Sequence, residues 1–358
     1  MKGHGLAAML LLSLILLTGC WDRVELNQLG MVWAVAFDPA PEESGDKVEI
    51  TAQVLNPQPP GQTVGQGGGG GQEPFVNLSA TGRSTVEASN RMAVESARRP
   101  SFGQTQLIIL GQDLAKTDMR ILIERPGRGF EARRAARLVV AKAVSGKELL
   151  STNVKLAGTP AQGMISILEA QTLTGFVPDI RLRDFLAALN SQTAAAVTPA
   201  LTVIREDPAG GKQAEPLVRA VGTAVFRNGR LVGYLTLQET RGFLWEQGRI
   251  RETIVNVPFP GAPPDQIIGI GIRRAFSSIT MEADGHQVKA DISIEVRADI
   301  SEYGVLRDIA KPRSWSILNE ELSRVVKDEI EHTVRKSQAL RADIFNLGEQ
   351  LRRQDNES

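Results

Sequence analysis

One thiol and three imidazoles are the chain's whole stock of cysteine and histidine, so their placement bounds its chemistry. Cys20, the single cysteine, follows a charged start (Met1-Lys2), an apolar run from Leu6 to Leu17 broken by one serine, and the small pair Thr18-Gly19. That order of charged, apolar and small regions is a secretion signal, because the apolar run falls short of the roughly 20 residues a spanning helix needs. A cysteine at the cleavage point adds a specific reaction. Its thiol takes a diacylglycerol, the peptide is cut just before it, and the new N-terminus carries further acyl chains such as palmitate. Residues 1–19 are therefore expected to be a lipoprotein signal peptide and Cys20 a lipidated first residue that holds the protein on a membrane surface outside the cytoplasm.

Lipidation of Cys20 would leave no thiol for disulfides, nucleophilic catalysis or soft-metal ligation. His4 leaves with the signal. His286 follows a turn and His332 lies on a helix between charged neighbours, where a solvated ring explains each better than a catalytic base does. The two are 46 residues apart with no cysteine between, which is no zinc spacing. Gly65, Gly67 and Gly70 match the spacing of a dinucleotide fingerprint only because they sit in a glycine run, with no strand leading in and no helix opening after it. Gly146-Lys147-Glu148 and Gly211-Lys212-Gln213 lack the hydroxyl that a phosphate loop places on magnesium. Glu42-Glu43 and Glu320-Glu321 read as solvated carboxylates. No catalytic residue, cofactor site or metal site is expected, and the chain is read as a non-enzyme. With 41 basic and 41 acidic side chains it carries no net charge, so neither a nucleic-acid partner nor a polybasic membrane patch is expected.

The elements suit a multidomain α+β protein, with two to three domains in a row, mainly antiparallel sheets, each covered by helices. Leu29–Phe37 reads as a buried strand and Lys47–Leu55, which alternates, as its half-exposed neighbour. Residues 56–74, rich in Pro, Gly and Gln, bury too little to offset ordering and are expected to be a disordered loop. A strand at 75–80, a capping box at Ser84–Glu87 opening a helix to about Arg98, and strands at 106–110 and 137–143 follow, with a short helix at 118–124 between them. Helices are expected at 160–172 and 181–190 and a strand at 198–205. Residues 206–216 form the best linker, separating an N-terminal domain at 20–205 from a C-terminal region at 217–358. That region is divided again near 248–265. Asn228-Gly229 predicts a hairpin, and 266–283 with 286–300 a second, longer one. Leu318, Leu322, Val326, Ile330 and Val334 mark one stripe of a long helix from about Ser314, expected to cover a sheet face.

Residues at both ends then resemble one family. Cys20-Trp21-Asp22 with Glu25 and Asn27 is similar to the mature start of the Ger(x)C lipoproteins, the C subunits of spore germinant receptors. Gln106–Ala115, Arg137–Ala143, Gly222–Gly233 and Lys336–Phe345 with Gly348-Glu349 follow in the family's order. The resemblance implies three α+β domains held on the outer face of the spore inner membrane. It implies A and B membrane subunits as partners, in a complex that responds to a small-molecule germinant. Trp21, Asp22 and Glu25 are the expected partner contacts, because they adjoin the lipidated residue. Family members carry a Phe-Gly-Phe-Gly-like stretch and run on into a final strand. Here Phe345-Asn346-Leu347-Gly348 leads to a polar tail, so the last strand of the C-terminal sheet is expected to be missing. A solute-binding lipoprotein of a transporter is the alternative reading; its usual two lobes of repeated βα units sit poorly with the long hairpins.

Overall fold

The computed structural model describes residues 28–56, 74–120, 133–205, 214–258, 267–284, 287–302 and 312–357. The expected signal peptide, Cys20, Trp21, Asp22, Glu25, most of the 56–74 loop, most of the 118–124 helix, most of the 206–216 linker, most of the Pro-rich 258–264 piece and His286 lie outside them.

In chain order the elements are β1 (Leu29–Pro39), β2 (Val48–Leu55), β3 (Phe75–Gly82), α1 (Thr85–Glu95), β4 (Arg99–Ser101), β5 (Leu107–Gly111), α2 (Gln112–Ala115) and β6 (Arg137–Ala141). Then come α3 (Gly146–Ser151), α4 (Pro160–Thr174), α5 (Leu182–Asn190), β7 (Ala196–Arg205), β8 (Pro216–Arg227) and β9 (Arg230–Leu235). The chain continues through α6 (Leu237–Glu246), β10 (Thr253–Pro258), β11 (Ile267–Asp284), β12 (Gln287–Glu302), α7 (Pro312–Leu340) and α8 (Leu347–Glu357). The protein is α+β. A nine-stranded sheet has the order β3-β2-β1-β5-β6-β7-β8-β9, with β4 paired to β1, and a second sheet has the order β10-β11-β12.

Antiparallel ladders form the flanks of the large sheet, while its middle, β1-β5-β6-β7, is parallel. Parallel strands need cover on both faces, which the sequence shows as unbroken apolar runs. Val35, Phe37, Ile108, Leu110, Leu138 and Val140 enter the core on one face. Their neighbours Ala34, Ala36, Leu107, Ile109, Val139 and Ala141 enter a second core under α3 and α4. β2 is enclosed as well, not half-exposed as its alternation suggested. Its polar members are satisfied inside: Gln53 donates to the Leu150 carbonyl (3.2 Å) and accepts from the Ala161 N–H (3.2 Å). The alternation signalled a polar network, not a solvent face.

Local chemistry explains the boundaries. Ser84 Oγ accepts the Glu87 N–H (3.2 Å), while Glu87 reaches back to the Arg83 N–H (3.1 Å) in place of the Ser84 N–H. Thr159 Oγ1 caps α4 through Gln162 N–H (3.1 Å). Asn228 and Gly229, at φ 51° and 78°, make the two-residue turn between β8 and β9. Segment 206–216 connects β7 to β8, which pair antiparallel from Ala196↔Phe226 to Arg205↔Pro216, so the large sheet continues across it. The polar tail forms α8, whose first N–H groups, Leu347 and Gly348, are accepted by the Asp343 carboxylate (3.0 and 2.8 Å).

The long hairpin and the long helix both form. The helix buries Leu318, Leu322 and Val326 as expected, but its buried stripe then turns to Glu329, Thr333 and Ser337. That second half packs on α6, and Ile330 and Val334 are left half-buried. Along its exposed side Glu331 pairs with Arg335 (2.8 Å) and Glu321 with Arg324 (2.6 Å).

Candidate interaction surfaces and buried polar centres

Parallel pairing fixes which end of the large sheet lies nearest the N-terminal segment. β1, β4, β5 and β6 all begin there, and the β8–β9 turn returns to it through the β7–β8 ladder. Gln28, the first described residue, adjoins this end. It is rich in arginine. Arg99, Arg133, Arg134, Arg183, Arg227 and Arg230 are exposed there and Arg98 is half-buried. Arg137 is neutralised by Glu169 (2.9 Å) and Asp179 (3.2 Å), and Arg183 meets Asp184 at 3.3 Å. The zero net charge thus hides an uneven distribution: a basic end of the sheet that composition alone did not reveal.

Two buried carboxylates organise the interior. Asp38, 4% exposed at the far end of β1, accepts the N–H groups of Gly146 (2.8 Å) and Lys147 (3.0 Å) at the start of α3. Burial pushes its carboxyl above the usual range, and the two donors oppose that. Asp38→Ala should lower stability by about 2–3 kcal/mol, because both N–H groups lose their acceptor inside the core; urea denaturation measures it. Glu329, 1% exposed on α7, accepts from Arg241 Nε (2.9 Å) and Trp245 Nε1 (2.8 Å), and Arg241 Nη2 adds a second charged bond. The helices approach closely because residue 242 is glycine: a Cβ there would overlap Thr333 Oγ1 and the Glu329 carbonyl.

His332 is exposed, with Nδ1 2.6 Å from the Asp328 carbonyl on its own helix. Among the described residues no group of His, Cys, Asp or Glu could hold a metal ion, and no helix is long and apolar enough to cross a membrane. An open groove of about 840 Å³ runs between β12 and α7, lined by Ile292, Ile294, Val296, Leu322, Val326 and Ile330.

Comparison with known proteins gives these surfaces a context. The family model "Spore germination protein N-terminal domain" matches residues 22–203, and "Spore germination B3/GerAC like, C-terminal" matches 221–358. The spore germination protein KC of Bacillus subtilis (strain 168) is 27% identical over 97% of this chain and 87% of its own length. The putative spore germination protein YfkR of the same organism is 28% identical over 93% of this chain and 84% of its own. The crystal structure of the GerBC protein superposes with a TM-score of 0.51 at 16% identity, covering 93% of this chain and 90% of that one, and so shares the fold. With both halves matched, the chain belongs to the GerAC-type spore germination family, that of the germinant-receptor C subunits.

Proposed function

We propose that this protein is a lipid-anchored, non-catalytic subunit of a germinant receptor, held through Cys20 on the outer face of the spore inner membrane. It acts through contacts with the A and B membrane subunits, in a complex that senses a small germinant. The observation that carries this reading is the pair of family models spanning 22–203 and 221–358, directly behind a cysteine in lipobox register. The arginine-rich end of the sheet agrees with it, since that end would face anionic headgroups. We also place the division between the N- and C-terminal parts at 206–216, in the gap between the two models, with the large sheet shared by both parts.

Trp21, Asp22 and Glu25 would then sit at headgroup level. Trp21 could rest in the interface as an aromatic anchor, but anionic lipids repel Asp22 and Glu25, which favours a basic or hydrogen-bonding partner surface. A second reading comes from Arg98 and Arg99, which lie beside the start of β1. Glu25 is four residues from Leu29, a reach of about 14 Å, so those arginines could hold the segment within the chain.

One set of variants decides among these. Cys20→Ala should release the protein from washed membranes and abolish acyl labelling; retention of both overturns the anchor. Asp22→Ala with Glu25→Ala should leave lipidation and unfolding midpoint unchanged while reducing recovery of the A and B subunits and slowing germination. A lowered midpoint with normal subunit recovery would favour the intramolecular reading. No change in any of the three removes the segment from the interface.

A further inference from the structure

We propose that two copies of this chain pair along the outer edge of β12, antiparallel and centred on Ile294, joining two three-stranded sheets into one of six strands. Among the described residues no strand pairs with that edge, because the sheet order is β10-β11-β12. From Gln287 to Ile300 the strand has no proline and no bulge; the register shifts of its ladder fall on Arg273 of β11 and near Ser301. A long, regular edge with its N–H and C=O groups unpaired is a template for another strand.

The side chains specify which strand. On the exposed face β12 reads Lys289, Asp291, Ser293, Glu295, Arg297, Asp299. About a two-fold axis at Ile294, Lys289 falls opposite Asp299 of the second copy, Asp291 opposite its Arg297, and Ser293 opposite its Glu295. On the other face Ile292 meets Val296 and Ala290 meets Ala298. Moving the centre by one residue destroys the match. At Ser293 it sets Lys289 against Arg297 and Asp291 against Glu295; at Glu295 it sets Asp291 against Asp299. Centres at Ile292 or Val296 each keep one kind of opposite-charge pair. The register centred on Ile294 is therefore the one with the most opposite-charge pairs, two kinds against one at Ile292 or Val296, and opposite charges across a ladder stabilise it whereas like charges oppose it.

The single chain also leaves a charge conflict that this pairing relieves. Arg297 lies directly across the ladder from Arg274, and both guanidinium groups stack on Phe276, 5.3 and 4.7 Å from the ring centre. Asp291 of the second copy would stand beside Arg297. The ion pairs that must share their partners, Lys289–Asp291 (3.0 Å) and Arg273–Asp299 (2.6 Å), are exposed and easily rearranged. Two copies tethered to one membrane would meet at a raised effective concentration, although the pairing itself requires no tether.

Molar mass of the full chain in detergent, followed by light scattering over a concentration series, should show a monomer–dimer equilibrium. Asp291→Arg alone and Arg297→Asp alone should each weaken it about tenfold or more, because each turns two facing pairs repulsive. Mixing the two variants should restore the dimer, since each then presents what the other lacks; variants that had merely unfolded could not do this. In a Cys20→Ala background, Ile294→Cys should cross-link to its own copy on oxidation, while Ala290→Cys should not. A wild-type chain monomeric throughout overturns the proposal. So do single reversals without effect, a mixture that stays monomeric, or equal cross-linking at 290 and 294.

Discussion

Glu329→Ala should lower the unfolding free energy by about 3–5 kcal/mol, the largest effect expected of any single substitution in the C-terminal region. The carboxylate is 1% exposed and accepts from Arg241 Nε (2.9 Å), Arg241 Nη2 and Trp245 Nε1 (2.8 Å). Alanine leaves a guanidinium that is itself only 15% exposed with no counter-charge, and an indole N–H with no acceptor. The cost lies in those stranded donors more than in the lost ion pair. Replacing Arg241 and Glu329 together, by Met and Leu, should therefore cost much less than Glu329→Ala alone. Urea denaturation of the three proteins decides it. If the double replacement costs as much as the single one, the loss comes from packing and the carboxylate does not hold α6 against α7.

That pair also shows where the sequence stopped being readable. An apolar stripe at Leu318, Leu322 and Val326 announces the buried face of α7, and the structure keeps it. Continued through Ile330 and Val334 the stripe still packs on the core but is only half-buried, because the helix also turns Glu329, Thr333 and Ser337 toward α6. A glutamate on a charged helix reads as a solvent face unless its partner is known. Arg241 is 88 residues away, so no local pattern could reveal it. The same holds for Asp38, whose two donors lie 108 and 109 residues on. Elements with local signatures were legible: the Asn228-Gly229 turn, the Ser84 cap, the alternating arm 287–302. The parallel middle of the large sheet was not, since register between distant strands leaves no mark on either one. The arginine-rich end arises in the same way, from strand starts brought together by that register.

The second large effect has the opposite sign and depends on pH. Glu246 ends α6, 4% exposed, where the helix carbonyls point outward and favour positive rather than negative charge. Burial raises its carboxyl from the ordinary 4.5 to about 7; Asp343 pushes the same way, while the hydrogen bond from Gln247 Nε2 (2.5 Å) and the charge of Arg249 pull it back. A folded-state value above the unfolded one means that the folded chain holds the proton more tightly. The stabilisation from that proton is fully present below about pH 4.5 and is lost as pH rises through about 7. The gap between the two values corresponds to about 3 kcal/mol. Glu246→Gln keeps the shape of the protonated acid and an oxygen to accept from Gln247, but cannot ionise. At pH 8 the variant should be more stable than the wild type by about 2–3 kcal/mol, and at pH 4.5 the two should coincide. Asp38, also raised by burial, adds pH dependence of the same sign to both proteins, so the difference between them isolates residue 246. Urea midpoints measured from pH 4.5 to 8.5 test this. Parallel curves for wild type and variant would mean that Glu246 ionises freely in the folded protein, and that the end of α6 is open to water.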